Sequence, residues 1–307
     1  MKCPKIGLER ATAFLSRTAY PTLMTAMTLS RIALVSDIHG NLPALEAVWA
    51  EIERESVDLI VNLGDIASGP LWPRETVQWL IAHEAQQPAR WCTIAGNHER
   101  QALAADIDRM GPSDAYAARA LGAVERAWLG ALPAACWIAD DVLLCHGTPA
   151  NDLTYFMETV TAGLDAAGPG GVRMATAGEV AQRAAELAPV ASPRGLAAAC
   201  SGEAASLILC GHTHVARSMA VAGGPLVVNP GSVGLQAYED QHPYSHVIEG
   251  GSPHARWGLV ERRPNGGGWH VQLRATAYDW LSAAAQAETN GRGDWADALR
   301  SGFMGRR

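Results

Sequence analysis

No run of about 20 apolar residues occurs in this sequence, the length a helix needs to cross a bilayer. Positive charge is scarce as well. Lys and Arg number 24 against 31 Asp and Glu, a formal net charge of −7. A chain-wide basic footprint for nucleic acid is therefore missing, which argues against nucleic acid as a partner. No Cys-x-x-Cys pair is present among the six cysteines. Cys92, Cys145 and Cys210 lie inside apolar runs, where a thiol behaves as a small buried hydrophobe. They read as reduced core residues of a cytoplasmic protein rather than a disulfide framework. Charged residues make up only 18% and hydrophobic ones 48%, so disorder is excluded for most of the chain. No internal repeat and no dividing linker is visible.

The 307 residues are enough to bury a core without staples. Residues 1–30 carry Lys2, Lys5, Arg10 and Arg17 but only Glu9 as acid. Arg17 and Pro21 interrupt any apolar leader segment. The stretch reads as a flexible extension, or as an early start with Met24 or Met27 as the true one. A single domain is expected over 31–285, with a tail over 286–307.

Short apolar runs mark buried strands. Ile32 to Val35 is the first, and it ends in Asp37-Ile38-His39-Gly40-Asn41. A helix follows, with Leu45, Val48, Trp49 and Ile52 as its buried stripe. Asp58 to Leu63 is the next strand and ends in Gly64-Asp65. Strand, helix, strand implies a parallel unit. After a helix over Glu75 to Glu84, Trp91 to Ala95 is a third strand, ending in Gly96-Asn97-His98-Glu99. A helical, alanine-rich region is expected from about Tyr116 to Leu132. A hairpin over Cys136 to Cys145 ends in His146.

Residues 151–206 are least regular, with helices expected over Asp152 to Val160 and Glu179 to Leu187. This part is a helical connector or a flap. Ser206 to Cys210 is a strand ending in Gly211-His212-Thr213-His214. A hairpin over Val215 to Val228 turns at Gly223-Gly224 and ends in Asn229-Pro230-Gly231-Ser232. Strands over Trp257 to Val260 and Trp269 to Ala277 precede a largely helical stretch from Trp280 to Arg300.

Five apolar strands thus end in metal-ligand chemistry: Asp37 and His39, Asp65, Asn97 and His98, His146, and His212 with His214. Open α/β sheets place their ligands beyond the carboxyl ends of strands. Carboxylates, an amide oxygen and imidazoles meeting there suit divalent first-row metals. Each block alone is weak; the conjunction is not. His242, His246, His254 and His270 fall outside the blocks and read as surface or core histidines.

With these blocks in view, the sequence resembles the calcineurin-like metallophosphoesterases. Their pattern is Asp-x-His, Gly-Asp, Gly-Asn-His-Asp/Glu, a lone His, then Gly-His-x-His. Asn229 to Ser232 adds a likeness to the small prokaryotic phosphodiesterase branch. The resemblance implies an α/β fold: a four-layer α-β-β-α sandwich of two mixed β-sheets flanked by helices. It implies two divalent metal ions (Mn, Fe, Zn, Ni or Co). Asp37, His39 and His214 would hold the first, Asn97, His146 and His212 the second, and Asp65 would bridge them. His98 would face the scissile phosphate and the leaving group, with Glu99 or Asp106 as candidates to orient it. One departure is the second block, Gly-Asp-Ile-Ala-Ser, which lacks a further acid or Asn and so alters the substrate rim.

The implied activity is hydrolysis of phosphodiester or phosphoanhydride bonds in a small molecule of nucleotide or dinucleoside polyphosphate type. A hydroxide activated by the dinuclear centre would attack. The alternative is a phosphoprotein (Ser/Thr) phosphatase with the same site. A scaffold that has lost its chemistry is disfavoured because no ligand position is missing. A DNA nuclease is disfavoured by the negative charge. Asn41, Tyr155, Arg217 and Ser232 are candidate substrate contacts. A helix cap and a turn residue are the competing readings of Asn41 and Ser232.

Overall fold

The computed structural model describes residues 29–163, 171–186, 205–264 and 267–305. Residues 1–28 of the expected extension lie outside these, as do parts of the irregular stretch over 151–206. In chain order the elements begin β1 (Arg31–Val35), α1 (Leu42–Ile52), β2 (Leu59–Asn62), α2 (Pro73–Gln86), β3 (Trp91–Thr93), α3 (Asn97–Ala102), α4 (Pro112–Ala120) and α5 (Ala123–Gly130). There follow β4 (Ala135–Ala139), β5 (Val142–Cys145), β6 (Glu158–Thr161), β7 (Gly171–Met174), α6 (Ala177–Ala185), β8 (Leu207–Leu209), β9 (Arg217–Ala220) and β10 (Leu226–Asn229). The chain continues with β11 (Ala237–Asp240), β12 (His246–Glu249), β13 (Ala255–Arg262), β14 (Trp269–Thr276), α7 (Trp280–Thr289) and α8 (Gly293–Ser301).

Two five-stranded mixed sheets form, in the orders β14-β13-β1-β2-β3 and β4-β5-β8-β10-β9. Within the first, β1, β2 and β3 are parallel while β13 runs against β1. Within the second, β5, β8 and β10 are parallel and both edge strands run against them. The apolar runs are continuous because each central strand is buried on both faces. Ile32 and Leu34 of β1 enter the core between the sheets, with Val61, Leu144, Leu209 and Val228. Ala33 and Val35 face the other way, onto Leu45, Val48, Val77 and Leu80 of α1 and α2. The outer face of the second sheet packs Leu143, Ile208 and Val227 against Phe156 and Val180. The expected four layers are therefore present.

One expected element differs. Asp152 to Val160 is not helical: Glu158–Thr161 is β6, paired antiparallel with β7. Its β-branched Thr159, Val160 and Thr161 favour a pleated strand. The helical region expected over Tyr116 to Leu132 consists of α4 and α5, with Gly122 as the cap between them. The largely helical stretch expected from Trp280 to Arg300 is α7 and α8, with Gly291 between them at a φ of +74° that no helix accommodates. α8 lies within the expected tail over 286–307. Residues Trp295, Ala298 and Leu299 of α8 are buried with Leu71 and Leu235, which makes α8 part of the wall beside the strand ends.

One half-buried acid outside that edge opposes stability. Burial of Glu84 on α2 raises its carboxyl to about 7, against a hydrogen bond from the Thr93 hydroxyl. The folded state thus holds this proton more tightly than the unfolded chain. The contribution is complete below the ordinary value of 4.5 and is lost as pH rises through about 7. Glu84→Gln keeps the group neutral at every pH. Its melting temperature should exceed that of the wild type at pH 8 and match it near pH 4.5. An equal gain at both pH values would exclude the buried carboxyl as the cause.

Candidate dinuclear metal centre

The strand-end residues share an uncommon backbone. Asp37, His39, Asp65, His212 and His214 have φ values of 55°, 52°, 54°, 69° and 58°. Among the described residues, no other non-glycine has positive φ. The left-handed region costs an L-residue about 1–2 kcal/mol. Such strain persists only where the surroundings over-determine it, and it clusters at functional sites. Glycines before two of the blocks let the loops meet. A Cβ on Gly64 would lie 2.3 Å from the Gly96 nitrogen, and one on Gly96 2.2 Å from Asp65 Oδ1.

Two triplets result. Asp37, His39 and His214 each bring a ligand atom within 4.8 Å of the others, and so do Asp65, His146 and His212. His39 Nε2 lies 3.0 Å from His214 Nε2, which is 3.4 Å from Asp37 Oδ1. His146 Nε2 is 3.0 Å from Asp65 Oδ2 and 4.0 Å from Asp37 Oδ1, so the triplets adjoin.

The histidines are held in the tautomer a metal requires. The Nδ1 atoms of His39, His146 and His214 donate to the carbonyls of Ser68, Leu63 and Leu235, each at 2.7 Å. A carbonyl only accepts, so each Nδ1 carries a proton and Nε2 is the nitrogen turned inward. The His212 ring is paired with the Leu153 backbone. Asn97 Nδ2 donates to Gln101 Oε1 at 3.3 Å. Asn97 Oδ1 is buried and accepts no hydrogen bond. Orphaned acceptors of this kind are costly unless a cation meets them. With mixed N and O donors, the residues fit two divalent first-row cations.

Charge is arranged to match. Burial tends to raise the Asp37 and Asp65 carboxyls. His214 and His146 beside Asp37, and His146 and His98 beside Asp65, outweigh burial and hold both low. Burial drives His39 down to about 3 and His212 to about 4. Both rings are therefore neutral and available as ligands at neutral pH.

His146 and His98 differ from these two. Burial lowers the basicity of both, but Asp65 and Asp37 more than offset this at His146 and raise it to about 10. At His98, Asp65 and Asp114 do the same and raise it to about 9. Its Nδ1 donates to Asp114 Oδ1 at 2.8 Å. Neither acid expected to orient it does so. The Glu99 carboxylate is occupied by the backbone amides of Asp65, Ile66 and Gly96, at 2.8, 2.8 and 2.7 Å. Asp106 instead accepts from the Asp108 amide, on the exposed surface. Asp114 lies in the first turn of α4, 16 residues after His98, and no local pattern marks it.

A cavity of about 1470 Å³ opens over His39, Asp65, Asn97, His98, His212 and His214. Tyr155 lines it, as expected of a substrate contact. Asn41, Arg217 and Ser232 do not. Asn41 caps α1, accepting from the Ala44 amide and donating to the Gly234 carbonyl. Ser232 Oγ donates to the Asp37 carbonyl and accepts from the Leu235 amide, both at 2.8 Å. The nearby Asn229 Nδ2 donates to the Gly211 carbonyl at 2.6 Å. The Asn-Pro-Gly-Ser segment is therefore a brace between two ligand loops. Arg217 pairs at 2.9 Å with the buried Glu158. Trp295 of α8, unforeseen at the site, meets His39 edge-on at 5.9 Å.

Known proteins share these features. Residues 30–216 match the model of the calcineurin-like phosphoesterase family. An uncharacterised protein of Methanocaldococcus jannaschii is 36% identical over 73 residues, 24% of this chain and 28% of that protein. The match therefore spans less than a third of that relative. The metallophosphoesterase from Sphaerobacter thermophilus superposes with a TM-score of 0.60 at 22% identity, over 89% of this chain and 99% of that one. A hypothetical protein from Pyrococcus horikoshii OT3 gives 0.62 at 17%, with the same coverage. These two share the fold. All five ligand blocks fall inside the matched stretch, which is more than half of the chain, and on that footing the chain belongs to the calcineurin-like phosphoesterase family.

Proposed function

We propose that this metal-dependent phosphohydrolase cleaves phosphodiester or phosphoanhydride bonds of a small molecule, of nucleotide or dinucleoside polyphosphate type. The observation that carries the reading is the pair of buried ligand triplets on the floor of a deep cavity, with His98 at their edge. In this reading Asp37, His39 and His214 would hold one cation, Asn97, His146 and His212 would hold the other, and Asp65 would serve both. When bound, two such cations supply charge neutralisation at the phosphoryl oxygens and a water acidified to near neutral pH.

The protein's own groups do the rest. Asp114 fixes the Nδ1 proton of His98, which leaves the Nε2 proton free for the departing oxygen. Glu99 gathers three backbone amides and so holds the Asp65 loop against the Asn97 loop. The four buried thiols Cys92, Cys136, Cys145 and Cys210 are free, which supports a reducing, cytoplasmic setting. No helix among the described residues is long and apolar enough to cross a membrane.

A second reading has one observation in its favour. Glu239, Asp240, Asp294 and Asp297 line the cavity against only Arg183 and Arg292. An acidic rim repels polyanions and attracts basic peptides, as a phosphoprotein phosphatase would require. Protein reconstituted with Mn²⁺, Fe²⁺, Ni²⁺ or Zn²⁺ should hydrolyse bis-p-nitrophenyl phosphate and one or more nucleotides. Faster turnover of basic phosphopeptides than of every nucleotide would favour the second reading. Absence of turnover with all four metals would sink both.

A further inference from the structure

Two tyrosines and a histidine near the centre have no part in the chemistry described so far. Tyr155, in the loop that follows His146, lies against the His212 ring with centroids 5.0 Å apart. Tyr238 of β11 meets the His214 ring edge-on at 4.7 Å. One ring thus backs a histidine of each triplet. The two hydroxyls are 2.7 Å apart, and Tyr155 Oη is also 2.9 Å from His246 Nε2.

The direction of these hydrogen bonds follows from the far end. His246 Nδ1 is 2.7 Å from the Tyr244 carbonyl, which only accepts, so Nδ1 donates and Nε2 accepts. Tyr155 therefore gives its proton to His246, and the Tyr238 hydroxyl faces two acceptors, Tyr155 Oη at 2.7 Å and the His212 carbonyl at 3.3 Å. Burial pushes both phenols above their ordinary range, so neither is ionised near neutral pH. His246 itself is 1% exposed, on β12 of the same ribbon as Tyr238. The start of that ribbon is held as well, because Leu235 supplies the carbonyl that orients His214.

We propose that Tyr155, Tyr238 and His246 form a positioning clamp that couples the two metal-binding halves through side-chain hydrogen bonds. Tyr155 belongs to the loop that follows His146. Tyr238 and His246 belong to the ribbon behind His214. The Tyr155 hydroxyl bonds both of them and so ties that loop to the ribbon. The cavity-lining position of Tyr155, which suggests substrate contact, is thus secondary: its one donor is spent inside the protein. The inference rests on the two-metal reading above.

Tyr155→Phe tests the clamp, because it keeps the ring over His212 and removes only the hydroxyl. Metal-free protein is titrated with Mn²⁺ by calorimetry, and the bound ions are followed by electron paramagnetic resonance. The wild type should bind two ions and show a spin-coupled pair. Tyr155→Phe should bind both about 10-fold more weakly, in line with other outer-sphere partners of metal ligands. It should also show uncoupled ions at intermediate loading. His246→Gln should act in the same direction, and the double variant should be no weaker than the weaker single one. Val48→Ala, in the separate core of α1, serves as the control of lowered stability. It should lower the melting temperature and leave Mn²⁺ affinity unchanged. Wild-type affinity in Tyr155→Phe, or an equal loss in Val48→Ala, would overturn the clamp. A wild type that binds no metal would remove the two-metal reading and the clamp with it.

Discussion

Asp65→Asn should yield a folded protein with almost no phosphoesterase activity. The backbone at Asp65 has a φ of 54°, which asparagine tolerates better than most residues. Asp65 Oδ1 accepts from the His98 amide at 3.0 Å, and an asparagine oxygen can accept the same bond. What changes is Oδ2. It lies 3.0 Å from His146 Nε2, and its replacement is an NH₂ that cannot ligate a cation. One negative charge leaves the midpoint of the two triplets. Loss of metal-derived charge stabilisation worth several kcal/mol corresponds to a fall of about 10³-fold or more in kcat. Circular dichroism and melting temperature should stay near wild type while metal content and turnover of bis-p-nitrophenyl phosphate collapse. Wild-type turnover in this variant would refute the assignment of Asp65.

His98→Ala should produce the second largest loss. The position is within α3, where alanine is well tolerated. A positioned proton donor contributes typically about 10²–10⁴-fold, so kcat should fall in that range with metal content unchanged. The proposed role makes a sharper demand. p-Nitrophenolate leaves readily without a proton, whereas an alkoxide does not. The defect should therefore be larger for an alkyl phosphodiester than for bis-p-nitrophenyl phosphate. Asp114→Asn should show the same leaving-group dependence to a smaller degree, since Asp114 acts only through His98. The double variant should be no slower than His98→Ala, because the two residues form one unit. A defect independent of the leaving group would assign His98 to phosphoryl binding instead.

Sequence alone went further on the ligands than on their support. Asp37, His39, Asp65, Asn97, His146, His212 and His214 were legible because each follows an apolar run by one to four residues. A run buried on both faces names its own strand, and the strand's end then states where its ligands go. The residues that hold those ligands in place were not legible. Asp114 meets His98 from a different helix, and the carbonyls of Ser68, Leu63 and Leu235 belong to no motif. Backbone carbonyls are the same in every residue, so no side-chain pattern reports them.

The misread segments have the same origin. Asp152 to Val160 looks helical in isolation, and its end becomes strand only because β7 is present to pair with it. Asn41 and Ser232 read either as substrate contacts or as a cap and a turn residue, and the fold turns them onto the Gly234 and Asp37 carbonyls. Arg217 looks like an anion contact until Glu158 arrives beside it. No motif near the end of the chain marks Trp295, which stands against His39.

What the sequence determined by itself, then, is the candidate ligand set, the two-faced strands that carry it and the metallophosphoesterase family they point to. These depend on residues adjacent in the chain, where alternation and spacing express physical constraint directly. Only the tertiary structure decided which nitrogen of each histidine faces inward, which acid holds His98, and what stands behind His212 and His214. Those are meetings of groups 16 to 91 residues apart, such as Asp114 with His98 and His246 with Tyr155. Hydrogen-bond geometry within about 3 Å selects them, and that proximity exists only once the sheets have packed.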